Sequence, residues 1–471
     1  MKLFIPGAAL FLLAGFLLTG CGAYEKGHAE YQRPELPEKT DWVGPGPELE
    51  TQPVQVSASE TIQPDWWRGF DDRYLDRLID SALTGNLDLK ILAARIDAAE
   101  AAVGEERAGL LPTVGGNVSA QFQTSPQGTS RQFGAQASAN WEVDIWGKAR
   151  KGVQAQSAEY QATEADWRAG YLSMVAEVAD TYFAIRRLDE QLARQRNALN
   201  QNRRILGIYH QQHQAGLVPD TRIRQQQAEI HALQDAEVDL KRLRRLAENR
   251  LATLLGRPAG DFRVPEQMLT DTVSLPVVPA GLPSELVSRR PDIIAGEFRV
   301  LQAHHLVGQA HLAKLPSFSL TGNGGFASAM LSGLLGNWSL GLAPALSIPI
   351  FDPGIEARLG SREAQAQIAE EQYRKTVLLA FEEVENALTN LAARKARLAE
   401  VQAQLAQLTQ VRNQIDRQVQ LGMASQLEVF ESERSVLAAQ QSLLQLHSQI
   451  LSDTVTLYKV LGGGWPHIRV N

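Results

Sequence analysis

The chain has 471 residues, 46 Lys and Arg against 53 Asp and Glu, a formal charge of −7, and 44% hydrophobic side chains. That balance describes a folded protein and excludes both a disordered chain and a strongly basic nucleic-acid binder. A single cysteine excludes an intrachain disulfide framework, a cysteine-based zinc site and an iron–sulfur cluster.

The cysteine closes the first segment. Met1-Lys2 leads into an apolar run of 16 residues, Leu3 to Leu18, which holds Pro6 and Gly7 and ends in Leu18-Thr19-Gly20-Cys21. A spanning helix needs about 20 apolar residues, so residues 1–20 read as a signal peptide. Leu-Thr-Gly-Cys has the form of a lipobox, which makes Cys21 the acylated N-terminus of the mature protein; an ordinary cleaved signal leaving a free thiol is the alternative. Residues 21–65 carry six prolines and no sustained apolar periodicity, and read as an extended arm without a core of its own. Folded structure is expected from Trp66-Trp67 and Phe70, core anchors ahead of a helical pattern of Leu75, Leu78, Ile79 and Leu83.

Beyond that point the sequence divides into two halves whose landmarks recur in order. Leu111-Pro112 corresponds to Leu315-Pro316, 204 residues on, while Gly216 to Gly422 and Leu255-Gly256 to Leu461-Gly462 are each 206 apart. The halves are residues 66–260 and 282–464, joined by a linker at 261–281 and followed by a tail at 465–471, and each runs helix, two strands, very long helix, turn, helix. Strands are expected at about 113–124, 132–145, 317–327 and 337–350, because these segments alternate with period two. Phe133, Ala135, Ala137, Ala139, Trp141, Val143 and Ile145, for example, oppose Gln132, Gln136, Ser138, Asn140, Glu142 and Asp144.

One reading of such strands is an antiparallel sheet with one face on a soluble core. Their length and apolar–polar alternation also suit tilted strands in a membrane, with Phe122, Phe133, Trp141, Phe326 and Trp338 near the ends as interfacial aromatics. Four strands cannot close a channel, and open edges cannot sit in lipid, so in that setting several copies share one barrel. Three copies supply twelve strands.

The helices are long. Ser361 to Leu421 contains neither Gly nor Pro over 61 residues, a helix of roughly 90 Å at 1.5 Å per residue. Within it Leu398, Val401, Leu405, Leu408, Val411, Ile415 and Val419 form a seam with a mean spacing of 3.5. The first half keeps Leu192, Leu199 and Leu206 seven apart and returns through Leu233, Ala236, Leu240 and Leu243. Ala399, Ala403 and Ala406 allow close approach on a second face, as in a cylinder of helices. Each half then ends in a helical hairpin, with turns at Gly216 and Gly422.

Several strings make the chain similar to the outer-membrane efflux factors of the TolC/OprM type, in their lipoprotein branch. They are Trp66-Trp67 with Phe70, Asn86-Leu87-Asp88-Leu89, Arg289-Arg290-Pro291-Asp292-Ile293 followed by Leu315-Pro316, and Leu457-Tyr458-Lys459-Val460-Leu461-Gly462-Gly463-Gly464-Trp465. Gly296 stands where the family commonly has Ala, and Pro353 interrupts its usual Phe-Asp-Gly-Gly turn. The resemblance implies a homotrimer: a twelve-stranded β-barrel in outer-membrane lipid, continuous with a long periplasmic α-helical barrel. It also implies a periplasmic adaptor (membrane fusion) protein and an inner-membrane efflux pump as partners, with no cofactor, no catalysis and no nucleic acid. Gly22, where Asp marks inner-membrane retention, points to the outer membrane of a Gram-negative bacterium.

By the same resemblance the constriction lies beyond Gly422. Leu427 matches a position that forms an apolar ring, and Glu428 and Glu431 match positions that carry Asp rings. Three residues apart on one helical face, the two carboxylates gather into six around a threefold axis and attract cations. Acidic residues are also favoured in the first turn of any helix, so a helix-end role is the alternative. At the other turn Thr221 matches a position that bonds across the closed tip, with Asp220 and Arg222 as partners for the second hairpin; N-capping by Asp220 or Thr221 is the alternative.

His210 with His213 and His304-His305 lack the further ligands of a zinc motif, and Gly462 to Gly464 are followed by no Gly-Lys-Ser/Thr, so an enzyme is not indicated. An outlet for type I protein secretion has the same architecture and stands as the second reading. A structural periplasmic coiled-coil lipoprotein accounts for the helices and not for the strands.

Overall fold

The computed structural model describes residues 22–37, 39, 41–43, 62–126, 128–269, 273, 275, 276, 278, 286 and 288–464, without the side chains of 426 and 427. Cys21 and residues 1–20, read above as a signal peptide, lie outside the described residues, as does the tail at 465–471. In chain order come α1 (Arg73–Gly85), α2 (Leu87–Ala108), β1 (Thr113–Ser125), β2 (Gly128–Val143), α3 (Lys148–Gln214) and α4 (Asp220–Leu254). The second half supplies α5 (Pro291–Leu312), β3 (Ser317–Ser328), β4 (Trp338–Ser347), α6 (Pro353–Gln420) and α7 (Gln426–Val460).

The two halves do not make two bodies. One compact unit takes Met1–Leu36, Ala93–Asp166 and Asp292–Thr376, and the other takes Pro37–Leu92, Trp167–Pro291 and Val377–Asn471, so each draws on both repeats.

The first unit holds an antiparallel sheet of order β1-β2-β3-β4. Its strands differ from expectation at their ends. Ser125 pairs with Gly128, closing β1 to β2 in a tight turn, so β2 starts before 132. It stops at Val143 because the Asp144 carboxylate accepts the backbone N–H groups of Ala149 (3.1 Å) and Arg150 (2.9 Å) and is committed to capping α3. β4 stops short of 350 where Pro349 offers no N–H to a ladder.

Pro353, out of place in the family's turn, is the first residue of α6, where a missing N–H costs nothing; the Asp352 carboxylate accepts the N–H of Gly354 at 2.8 Å. Gly296 also has a local cause. A Cβ there would sit 3.2 Å from Cδ2 of the fully buried Tyr373.

The arm is more engaged than its composition suggested. In the first unit residues 22–27 are helical, Arg33 donates to Glu297 (2.6 Å) and to the Tyr373 hydroxyl (3.1 Å), and the Ala29 carbonyl meets His304 Nε2 at 3.0 Å. In the second unit Lys39 pairs with Glu385 at 2.7 Å.

The second unit's core gathers residues that the sequence scatters. Trp66 stacks on Tyr458 with ring centroids 4.8 Å apart, and Phe70 meets Phe183 at 5.1 Å, so the opening and closing family strings are two sides of one packing site. Asn86 donates to the Leu254 carbonyl (2.8 Å) and accepts from Leu89 N–H (3.0 Å), capping α2 while tying down the end of α4. Arg290 donates to the Val460 carbonyl (3.1 Å) and to Glu383 (2.7 Å), satisfying the C-terminus of α7 with a cation.

The first part of the expected linker is pinned. Buried Arg186 donates to Tyr182 (2.8 Å), Asp189 (3.3 Å) and the Pro265 carbonyl (2.5 Å), while Arg244 reaches Asp189 (2.5 Å), Glu248 (2.7 Å) and the Val264 carbonyl (2.7 Å). These side chains hold residues 264–265 against α3 and α4.

The long helices cover the seam read from the sequence only in part. Leu398, Val401, Leu405, Leu408, Ile415 and Val419 are partly buried and Val411 is exposed, whereas Ala399, Ala403 and Ala406 face solvent in the single chain. In the first half Leu192, Leu199 and Leu233 are buried, while Ala236 and Leu243 are exposed.

Candidate functional site: an apolar sheet face and two helical turns

Strand pairing decides which side chains share a face. Directly paired residues project from the same side of a sheet, so a row can be followed across all four strands. Val114, Ala139, Gly322 and Leu342 form one row, Gly116, Ala137, Gly324 and Leu340 the next, and Val118, Ala135, Phe326 and Trp338 the third. Trp141, Leu320 and Pro344 and then Val143, Phe318 and Leu346 continue the same face toward the helices. A one-residue slip in any ladder would break this face, and none does so.

Among the described residues nothing covers the outer part of the apolar face. Val118 is 82% exposed, Leu340 80% and Trp338 71%. A soluble core face would be buried, so the soluble-sheet reading fails here. Aromatic residues lie at both ends: Phe122 and Phe133, 5.9 Å apart, with Phe326 and Trp338 toward the hairpin loops, and Trp141 and Phe318 toward the helices. Phe133 and Trp141 are eight positions apart on β2, about 26 Å along a strand and about 20 Å along the normal once tilted, close to the apolar band of about 25 Å in outer-membrane barrels.

The other face is polar and uncharged through most of its height. Its rows are Thr113, Asn140, Thr321, Ala343; Gly115, Ser138, Asn323, Gly341; and Asn117, Gln136, Gly325, Ser339. Thr321 donates to Asn140 Oδ1 at 3.1 Å and Thr113 to the Asn140 carbonyl at 3.2 Å, a short polar ladder across three strands. Glu142 brings charge only at the helical end, where it pairs with Lys148 at 2.7 Å.

The two turns belong to the second unit. Gly216 and Gly422 have φ of 75° and 74°, and the N–H after each reaches five residues back, Leu217 to the Gln212 carbonyl and Met423 to the Gln418 carbonyl, both at 2.8 Å. These are Schellman caps, and the left-handed backbone requires glycine. Gly256 and Gly462 end α4 and α7 in the same manner, which explains why these glycines stood out as repeat landmarks. Leu217, Leu421 and Met423 are each more than 70% exposed at the turns.

Beyond the first turn the N-cap of α4 is Pro219, with no side-chain bond, so neither Asp220 nor Thr221 caps the helix as the alternative had it. Asp220 lies in the first turn and pairs with Arg224 of its own helix at 2.6 Å; Thr221 is exposed and Arg222 partly so. Beyond the second turn Ser425 caps α7. Its N–H and hydroxyl both donate to Glu428 Oε1, at 3.2 and 3.0 Å, a capping-box arrangement. Glu431 is exposed one turn on, and the side chain of Leu427 lies outside what is described.

The histidines do other work. His213 Nδ1 lies 2.8 Å from the Val218 carbonyl inside the first turn, and burial holds His305 down at about 4. Among the described residues no three His, Cys, Asp or Glu side chains converge as a metal site needs, and no helix is long and apolar enough to cross a membrane. Sequence reasoning missed Asp180, whose half-hidden carboxylate has an oxygen without a hydrogen-bond partner and is pushed up to about 6 by burial. Nothing local in its sequence marks it.

Known proteins share this architecture. The outer membrane efflux protein family profile matches residues 78–257 and again 282–463. The probable efflux pump outer membrane protein TtgC of Pseudomonas putida is 31% identical over 96% of this chain and 94% of its own length. The cation efflux system protein CusC of Escherichia coli is 30% identical over 98% and 99%. Among solved structures, the open state of the Neisseria gonorrhoeae MtrE outer membrane channel superposes with a TM-score of 0.82 at 27% identity, over 93% of this chain and 98% of that one.

Proposed function

We propose, since the chain belongs to the outer membrane efflux protein family, that it is the exit duct of a tripartite efflux system. Three copies contribute four strands each to one barrel in the outer membrane, and their long helices enclose a conduit through the periplasm. The observation that carries this reading is the uncovered apolar face kept in register across four strands, with an uncharged polar face behind it. Lipid covers the first and water fills the second. The exposed face of Ala399, Ala403 and Ala406 suits close packing against a neighbouring copy.

Transport through such a duct is passive. An inner-membrane pump supplies the energy and a periplasmic adaptor joins it to the duct; the cargo is small molecules, as the toluene, antibiotic and cation efflux named for the relatives suggests. The duct narrows at the turns, where Leu427, Glu428 and Glu431 of each copy form the constriction and Asp220, Thr221 and Arg222 stand on the partner turn. Acyl chains on Cys21 anchor the arm.

Expression with the leader in a Gram-negative host tests the assembly. The account expects an outer-membrane species that runs as a trimer in mild SDS and as a monomer after boiling, and that incorporates labelled palmitate unless Cys21 is replaced by Ser. A periplasmic monomer released without detergent would contradict it.

A further inference from the structure

The two hairpin loops at the outer end of the sheet differ in chemistry. The first is the tight turn at Pro126-Gln127, whereas the second reads Ala329-Met330-Leu331-Ser332-Gly333-Leu334-Leu335-Gly336-Asn337 without an ionisable side chain. Leu331–Gly336 forms a 3₁₀ turn with no buried residue, and Met330, Leu331 and Leu335 are 70%, 67% and 76% exposed. An apolar cluster so placed needs a cover.

The direction in which the loop leans identifies that cover. Met330 N–H donates to Ser328 Oγ at 3.2 Å, and a Cβ on Gly333 would lie 3.1 Å from the same oxygen. Ser328 pairs with Phe133, so its side chain projects from the apolar face and not from the polar one. The turn therefore folds toward the lipid side, directly beyond the Phe326 and Trp338 pair. Aromatic residues at that level sit among headgroups, and an apolar turn continuous with them meets the same layer.

We propose that residues 330–335 form an apolar foot that inserts into the outer interfacial layer of the membrane beside the barrel, adding a lipid contact to each copy beyond the strands. The inference rests on the reading that the sheet's apolar face spans the membrane.

The test replaces Leu335 with Cys, labels it with a nitrobenzoxadiazole fluorophore, and reconstitutes the full-length protein in phosphatidylcholine vesicles with and without bromine on the upper acyl chain. The unsubstituted protein, labelled identically, supplies the blank for Cys21, and a Leu342→Cys variant at mid-strand is the control. The proposal expects loss of emission at 335 with brominated lipid and little loss with aqueous iodide. Quenching by iodide alone would overturn it by placing the loop in water. Protection from both quenchers would also overturn it, because the loops then meet one another over the barrel mouth. If brominated lipid fails to quench at 342 as well, the spanning-sheet reading falls together with the proposal; quenching at 342 but not at 335 removes the proposal alone.

Discussion

At the residue scale, Glu428 meets Ser425 at the start of α7, and its proposed place in the constriction adds a charge that substitution by Gln separates from that contact. Its carboxylate accepts from Ser425 at the start of α7, and Gln in the same position keeps that capping geometry while removing the charge. Glu428→Gln with Glu431→Gln is therefore expected to leave thermal stability unchanged and to weaken block by divalent cations in planar-bilayer recordings. Unaltered block would assign both residues to the helix end alone. Asp180 gives a second test. Burial lifts its carboxyl from an ordinary value of 3.8 to about 6, so the folded state takes up the proton first as pH falls. Stability is thus lowered by the buried charge above pH 6 and recovers as pH drops from about 6 to 4, by an amount on the order of 2–3 kcal/mol. Asp180→Asn is expected to raise the melting temperature at pH 7.5 and to flatten that dependence, read by circular dichroism in detergent. Only the first of these is legible in sequence. Ser425 and Glu428 show the spacing of a capping box, but nothing near Asp180 reveals that its burial depends on α7, some 270 residues on.

At the element scale, the two sheet faces should answer oppositely to charge. Leu340→Lys places an ammonium on the apolar face at a cost of about 2–4 kcal/mol per copy near mid-membrane, and is expected to abolish heat-modifiable trimers in the outer-membrane fraction. Asn117→Asp, in the neighbouring row on the polar face, is expected to assemble normally and to raise cation selectivity, measured as a shift in reversal potential across a salt gradient. Equal tolerance of both would contradict the assignment of faces. Strands and long helices were legible because period two and period 3.5 are local properties repeated many times over. Their ends were less so. Asp144 looks like one more polar position in β2 until its carboxylate is found capping α3, and Ile348 and Ile350 keep the alternation although Pro349 cannot hold a ladder. The contacts of the arm and linker are hidden from the sequence because single residues make them: Arg33 by way of Glu297 and Tyr373, and residues 264–265 by way of Arg186 and Arg244. Isolated partners from 20 to 340 positions apart in the chain leave no periodic trace.

At the scale of the whole molecule, the family strings are where distant segments meet. Trp66 stacks on Tyr458, and Arg290 holds the last carbonyl of α7, so the start, middle and end of the chain close one core. Replacing Arg290 by Met strands that carbonyl and releases Glu383; a loss of about 1–3 kcal/mol is expected, seen as a lower melting temperature with conductance per channel unchanged in the molecules that fold. In the proposed assembly three copies form a duct whose narrowest part lies at the helical turns. Single-channel conductance of the detergent-purified oligomer in a planar bilayer, with and without divalent cations, tests it most directly. The account predicts small conductance for the native protein, reduced further by divalent cations, and a large increase once Leu427, Glu428 and Glu431 are replaced by Ala together. Large, steady conductance in the native protein, insensitive to cations and to those substitutions, would contradict a constriction at the turns.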